Sequence, residues 1–222
     1  MEFLNTDIGG EKRAWVREMA ALHRVEAQKL VLTEWQESAR LWNSIRAFEL
    51  TFRNAIDSHY RERLGQNLLS ASIEQDGIFT KVQCRSTLEL IKTASSRSKN
   101  PSHSDLVASL TLSFWVRLFE VHQFEACGST LLEIFTEDRT NLSARRRAYV
   151  VRLKKILGLR NRIAHHEWVV YRSGMPKLKI TKVCREIDAE RLSLLKKHRP
   201  PAVGPSGRNV GGVVVDKQHV SG

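Results

Sequence analysis

Cysteine is scarce in this 222-residue chain, and the few present form no pattern. Cys84, Cys127 and Cys184 are far apart, odd in number and without a CxxC spacing. That usage suggests neither a disulfide framework nor a zinc site and fits a reducing cytoplasm. Long apolar runs are missing too. No uninterrupted apolar segment approaches the ~18 residues that a membrane span needs, so no membrane partner is expected. The opening MEFLNTDIGGEKRAW holds no apolar run of signal-peptide length. Internal repeats of solenoid length are absent as well. The expectation is a soluble, cytoplasmic protein.

What the chain has in excess is positive charge. Against 24 Asp and Glu stand 36 Lys and Arg, a formal +12 with a pI near 10.0. Hydrophobic residues at 41% and charged residues at 27% are ordinary for a globular domain, so the imbalance is not a sign of low complexity. A polyanion is the natural partner. Charge alone does not separate RNA from DNA or acidic lipid.

Helical period dominates the chain. Glu11 to Val31 carries apolar residues at three and four spacing, and Thr33 with Gln36 offers a capping box for a helix over about Glu34 to Leu64, ended by Gly65. A polar connection, GQNLLSASIEQDG, leads to a shorter amphipathic helix from Lys81 to Ser95. Pro101 and its serines read as a loop, with Ser104 or Ser102 as the next cap. Asp105 to about Phe124 is strongly apolar and reads as one buried helix, although Leu110 to Trp115 is also compatible with a strand. STLLEIFTE is a short helical piece, and Ser143 caps the helix that follows. From Trp168 to Ile180 the turn signal SGMP separates two β-like runs, predicting a small hairpin or arm. Arg185 to His198 is a last helix, and the Gly/Pro-rich text after Pro200 reads as a disordered tail. The expected organisation is one all-α domain over 1–199 and a tail over 200–222.

Two places put charge where a helix should bury carbon. With about 100° per residue, Tyr149, Leu153, Ile156, Leu157 and Ala164 fall within about 60° of Arg160, which places Arg160 in the middle of its apolar stripe. Asn161 and His165, four apart, share one edge of that stripe. An inward guanidinium needs an anionic partner or a wet cleft, since an unpaired buried charge costs several kcal/mol. The second place is LWNSIRAFELTFRNAID, where Glu49 falls near the centre of a stripe of Trp42, Ile45, Phe52, Ile56 and Tyr60, with Arg53 beside it. Either Glu49 and Arg53 form an ordinary i, i+4 surface pair, or Glu49 turns inward as the counter-ion of Arg160. The stripe favours the inward role.

Arg160-Asn161-Arg162-Ile163-Ala164-His165 resembles the motif of the HEPN superfamily: an arginine, a polar residue directly after it and a histidine further along. AFELTFRNAI, LTLSFWVRL and LGLRNRIAHHE resemble, in that order, segments of the Abi-like, abortive-infection branch. Three ordered matches carry more than an isolated motif. The N-terminal helix, the last helix and the tail lie outside them. The resemblance implies a HEPN-like helical bundle that pairs as a homodimer around a basic cleft and cuts RNA without metal or cofactor. It implies principal roles for Arg160 and His165 and a supporting one for Asn161, with His166 and Glu167 as lesser extensions. A phage-defence or toxin–antitoxin toxin, held by a neutralising antitoxin, is the corresponding biology.

The chemistry asks for these side chains in any case. RNA cleaves itself when its 2′-hydroxyl attacks the adjacent phosphorus, given a base, an acid and a cation for the crowded phosphate. Histidine serves as base or acid near neutrality, and arginine presents a planar fork to phosphate. One histidine per chain makes a dimer attractive, since two supply both roles. Competing readings are plain: His165 and His166 as helix C-terminal caps favoured by the dipole, and the whole domain as a catalytically silent module that binds RNA, nucleotide or a partner protein. Metal binding by His165, His166 and a cysteine is disfavoured, because adjacent histidines point about 100° apart on a helix and the spacing to any Cys is not informative. Phe114, Trp115 and Phe119 read as core more readily than as base-stacking platforms, and the basic helix Arg185 to His198 as a solvated face.

Overall fold

The computed structural model describes residues 10–65, 67–73, 77–97, 102–136, 138, 140–171 and 178–197, and they are all-α: no strand forms among them. The elements are α1 (Gly10–Leu22), α2 (Ala27–Leu64), α3 (Leu68–Ile73), α4 (Arg85–Ser96), α5 (His103–Ser109), α6 (Leu112–Arg117), α7 (Val121–Ala126), α8 (Leu142–Ala164) and α9 (Ile180–Lys197). Short 3₁₀ turns occupy Val82–Cys84 and Leu131–Ile134. No described helix is long and apolar enough to cross a membrane.

α2 is the axis. Its 38 residues span roughly 57 Å at 1.5 Å per residue. Gly65 ends it as expected, at φ 65, with its N–H on the Arg61 carbonyl. The expected start near Thr33 is corrected: α2 begins at Ala27 and no break or capping box forms at Thr33. The break comes earlier, where α1 closes on a left-handed Arg24 (φ 52) with Val25 N–H returning to the Ala20 carbonyl. Glu34 is therefore inside α2 rather than at its start.

α9 runs along α2 in the same direction, with Arg40 reaching Thr181 and Ser44 reaching Asp188. α8 runs against both, as Arg152–Glu190 and Lys155–Glu186 pairs and the Arg160–Trp42 contact show. The core between them is aromatic. Phe52 lies 5.2 Å from Phe48, 5.6 Å from Phe119 and 6.0 Å from Phe135, and Phe135 stacks on Tyr149 of α8 at 4.3 Å. Such pairs add to the burial term of four rings already out of water.

The apolar run from Asp105 to Phe124 is neither one helix nor a strand. It is cut into α5, α6 and α7 by extended residues at Leu110 and Glu120. Leu112, Phe114, Trp115, Val116, Leu118 and Phe119 are all buried, more than one face of a straight surface helix can hide, and the breaks let successive residues turn inward. Phe114, Trp115 and Phe119 are thus core. Ser102 is the observed cap of α5, in a full capping box with Asp105. Asn141, not Ser143, is the N-cap of α8; the Ser143 hydroxyl accepts from Arg147 instead. The connection after Gly65 hides a helix missed by its polar composition, α3, which buries Leu68 and Leu69. The predicted hairpin is not a strand pair where it is described, although Leu178 N–H does meet the Val170 carbonyl at 3.0 Å. Residues 172–177 and the predicted tail over 200–222 lie outside the described residues.

Candidate functional site

Arg160 is half-buried on α8, and its guanidinium carbon lies 5.8 Å from the centre of the Trp42 ring on α2. Its Nε is buried without a hydrogen-bond acceptor. The inward position expected from helical period is thus observed, but the expected counter-ion is not. Neither Arg160 nor Glu49 forms an ion pair with a described residue, and Arg53, whose Nε is also buried and unbonded, forms none with Glu49. Each has the exposure of a groove residue rather than of free surface. Glu49 and Arg53 lie seven and eleven residues further along α2 than Trp42, whose ring takes the place beside Arg160 that a carboxylate was expected to fill.

α8 ends in a Schellman motif. Glu167 N–H bonds the Arg162 carbonyl at 2.8 Å and His166 N–H bonds that of Ile163 at 3.0 Å, closing the helix around a left-handed His166 at φ 54. Glycine is the ordinary occupant of that position, because a Cβ there is strained. Arg162 and Glu167 also pair across the turn at 3.3 Å. His165 is the C-cap, exposed, with its N–H on the Asn161 carbonyl, and Asn161 is exposed one turn before it. The shared edge of Asn161 and His165 is therefore real. Arg160 faces α2 while His165 is exposed at the helix end, and the neighbouring cleft is lined by neither.

Beside this turn is a cleft of about 490 Å³ between α1, α2 and the end of α8. Lys12, Trp35, Ser38, Ile163, His166 and Trp168 line it. His166, not His165, is the motif histidine that reaches it. Trp168 is braced by Trp15 of α1 at 4.6 Å between ring centres. The cleft adjoins the Arg160–Trp42 contact, since Ile163 and Ser38 lie three and four residues, one turn, from those residues.

Glu34 organises the wall of this cleft, and composition concealed it. It is 4% exposed, and its carboxylate accepts backbone N–H from Val169 at 2.5 Å, from Val170 at 2.9 Å and from Tyr171 at 3.1 Å, plus the Ser38 hydroxyl at 3.0 Å. Amide dipoles replace the cation that a buried carboxylate otherwise requires. His23 of the α1–α2 turn packs edge-on to Tyr171 at 5.1 Å, so α1 and α2 together hold the segment after the motif. Sequence reasoning missed Glu34, Trp35, Trp168 and Lys12. The available signal was an acid among Leu30, Val31 and Leu41 in a helical stripe, the same kind of misfit that singled out Glu49.

Among the described residues no group of three His, Cys, Asp or Glu is placed to hold a metal ion. Away from the cleft, Asp57 on α2 is buried and joins His103 Nε2 at 2.7 Å and Arg61 at 2.5 Å, tying α5 to α2. Comparisons with protein families, with curated proteins and with solved structures found no match to this chain.

Proposed function

We propose that this protein is a metal-independent endoribonuclease of the HEPN type, working as a homodimer in phage defence or as the toxin of a toxin–antitoxin pair. The observation that carries the reading is the Arg160 guanidinium: set on a packed helix face, with a buried Nε and no carboxylate partner among the described residues. An inward cation left without an internal anion suits one that arrives with a ligand, and a phosphate fits its fork. The chain's +12 charge supports a polyanionic substrate.

In this reading Arg160 stabilises the scissile phosphate, and His165 either takes the proton of the attacking 2′-hydroxyl or gives one to the leaving 5′-oxygen. Asn161 supports His165 from the same edge of α8. Exposure of His165 outside the cleft argues for a second copy, since apposing two α8 C-termini would enclose both imidazoles and supply acid and base. His166, lining the cleft, contacts substrate rather than transferring the proton.

Incubation with total RNA in EDTA should give fragments ending in 2′,3′-cyclic phosphate, with loss of cleavage in Arg160→Ala and His165→Ala. A strict Mg²⁺ requirement would refute the mechanism. One observation favours a second reading, a catalytically silent module binding RNA, nucleotide or a partner: the cleft at the end of α8 is lined by neither Arg160 nor His165. Growth on expression discriminates them, because only the nuclease reading predicts toxicity relieved by both alanine variants.

A further inference from the structure

The cleft beside Arg160 has a chemistry that the motif does not explain. Two indoles, Trp35 and Trp168, are among its walls. Trp35 is 45% exposed, and Trp168 is held by the tilted ring of Trp15 and along its backbone by the Glu34 carboxylate gripping the next three amides. Bracing of this kind lowers the ordering cost of stacking a ligand. A volume of about 490 Å³ lies within the range of about 300–1,000 Å³ typical of small-molecule sites. Around the indoles stand an ammonium from Lys12, an imidazole from His166 and a carboxylate from Glu167. The imidazole and the carboxylate can meet the ring nitrogens and exocyclic groups of a base, and the ammonium a phosphate.

We propose that this cleft is a nucleobase subsite, which takes one unpaired RNA base against Trp35 and Trp168 and thereby delivers the adjoining phosphate to Arg160. The proposal rests on the RNA reading above and names where the substrate is gripped. Ile163 and Ser38 of the cleft are one turn, about 5.4 Å, from Arg160 and Trp42, a separation on the scale of one nucleotide. Base-on-indole stacking tolerates any base, so the subsite selects single-stranded RNA rather than a sequence. Lys12 at the rim meets backbone phosphate, which places α1 in the binding surface.

The test separates gripping from cutting by using a fluorescent single-stranded oligonucleotide with 2′-fluoro riboses, which lacks the attacking hydroxyl, and the full chain. Trp35→Ala should weaken binding about tenfold, in the range measured for base–aromatic stacking, while Trp35→Phe retains most of it. An abasic strand of equal length carries the same phosphates; it should bind about tenfold more weakly than the full strand and ignore Trp35→Ala. Equal binding by wild type and Trp35→Ala, equal binding of abasic and full strands, or no binding by wild type would each overturn the subsite. If Trp35-dependent binding is found and no cleavage occurs with ordinary RNA, the subsite stands and the nuclease reading falls. If RNA is cut with an unchanged KM in Trp35→Ala, the nuclease reading stands and the subsite falls.

Discussion

Replacing Glu34 by glutamine tests whether a single carboxylate in the middle of α2 sets the geometry of the motif's far end. The carboxylate accepts from three consecutive backbone amides and from Ser38, and it is 4% exposed. Hydrogen bonds to a charged acceptor contribute about 1.5–3 kcal/mol each, and a buried donor left without a partner costs about 1–3 kcal/mol. Glutamine keeps one acceptor oxygen but points an NH₂ at an amide N–H that formerly met the other oxygen. At least one backbone donor is then orphaned, and the surviving bonds lose their charge. The expected loss is about 2–3 kcal/mol, or roughly 5–10 °C in Tm for a chain of this size. Urea denaturation followed by circular dichroism measures it. Hydrogen exchange at Val169, Val170 and Tyr171 should quicken together, because these amides share the one acceptor. A loss under about 0.5 kcal/mol, with exchange at those amides unchanged, would show that water or another group already satisfies them and would refute the argument.

Other expectations follow from the same geometry. Arg160→Met keeps the stem over Trp42 and removes a cation without an internal partner; stability should stay within about 1 kcal/mol of wild type while cleavage falls about 10²-fold or more, read by urea denaturation beside an RNA assay. His166→Gly relieves the left-handed position at φ 54 and should stabilise by about 0.5–1 kcal/mol in thermal denaturation, with weaker oligonucleotide binding through loss of the imidazole from the cleft. Burial pushes the Cys127 thiol up to about 12, with the Tyr60 hydroxyl pulling it back. Its folded value exceeds its unfolded one, so this contribution to stability is whole below about pH 9 and is lost as pH rises towards 12. Thiol titration should accordingly find Cys84, Cys127 and Cys184, all buried, slow to label in the native protein and fully reactive after unfolding.

The resemblance named Arg160, Asn161 and His165, and helical arithmetic independently put Arg160 inward and Asn161 beside His165. Both placements hold, because they depend only on the rise and turn of one helix. Glu49 as a counter-ion did not hold, since two stripes can each be inward without meeting. Which residues face one another depends on the crossing of α2 with α8, and there Trp42 lies under Arg160.

The chain by itself determined the all-α class, the stop at Gly65, a helix cap at one of two serines that include Ser102, and the inward position of Arg160. These are contacts among residues three or four apart, and their chemistry is written in order along the backbone. Only the tertiary structure decided that the apolar run after Asp105 should bend twice, that His166 rather than His165 lines the cleft, and that Glu34 should hold Val169. Glu34 and Val169 are 135 residues apart in the chain. Such a bond leaves no periodic trace, because its partner is a backbone amide that every residue type except proline carries.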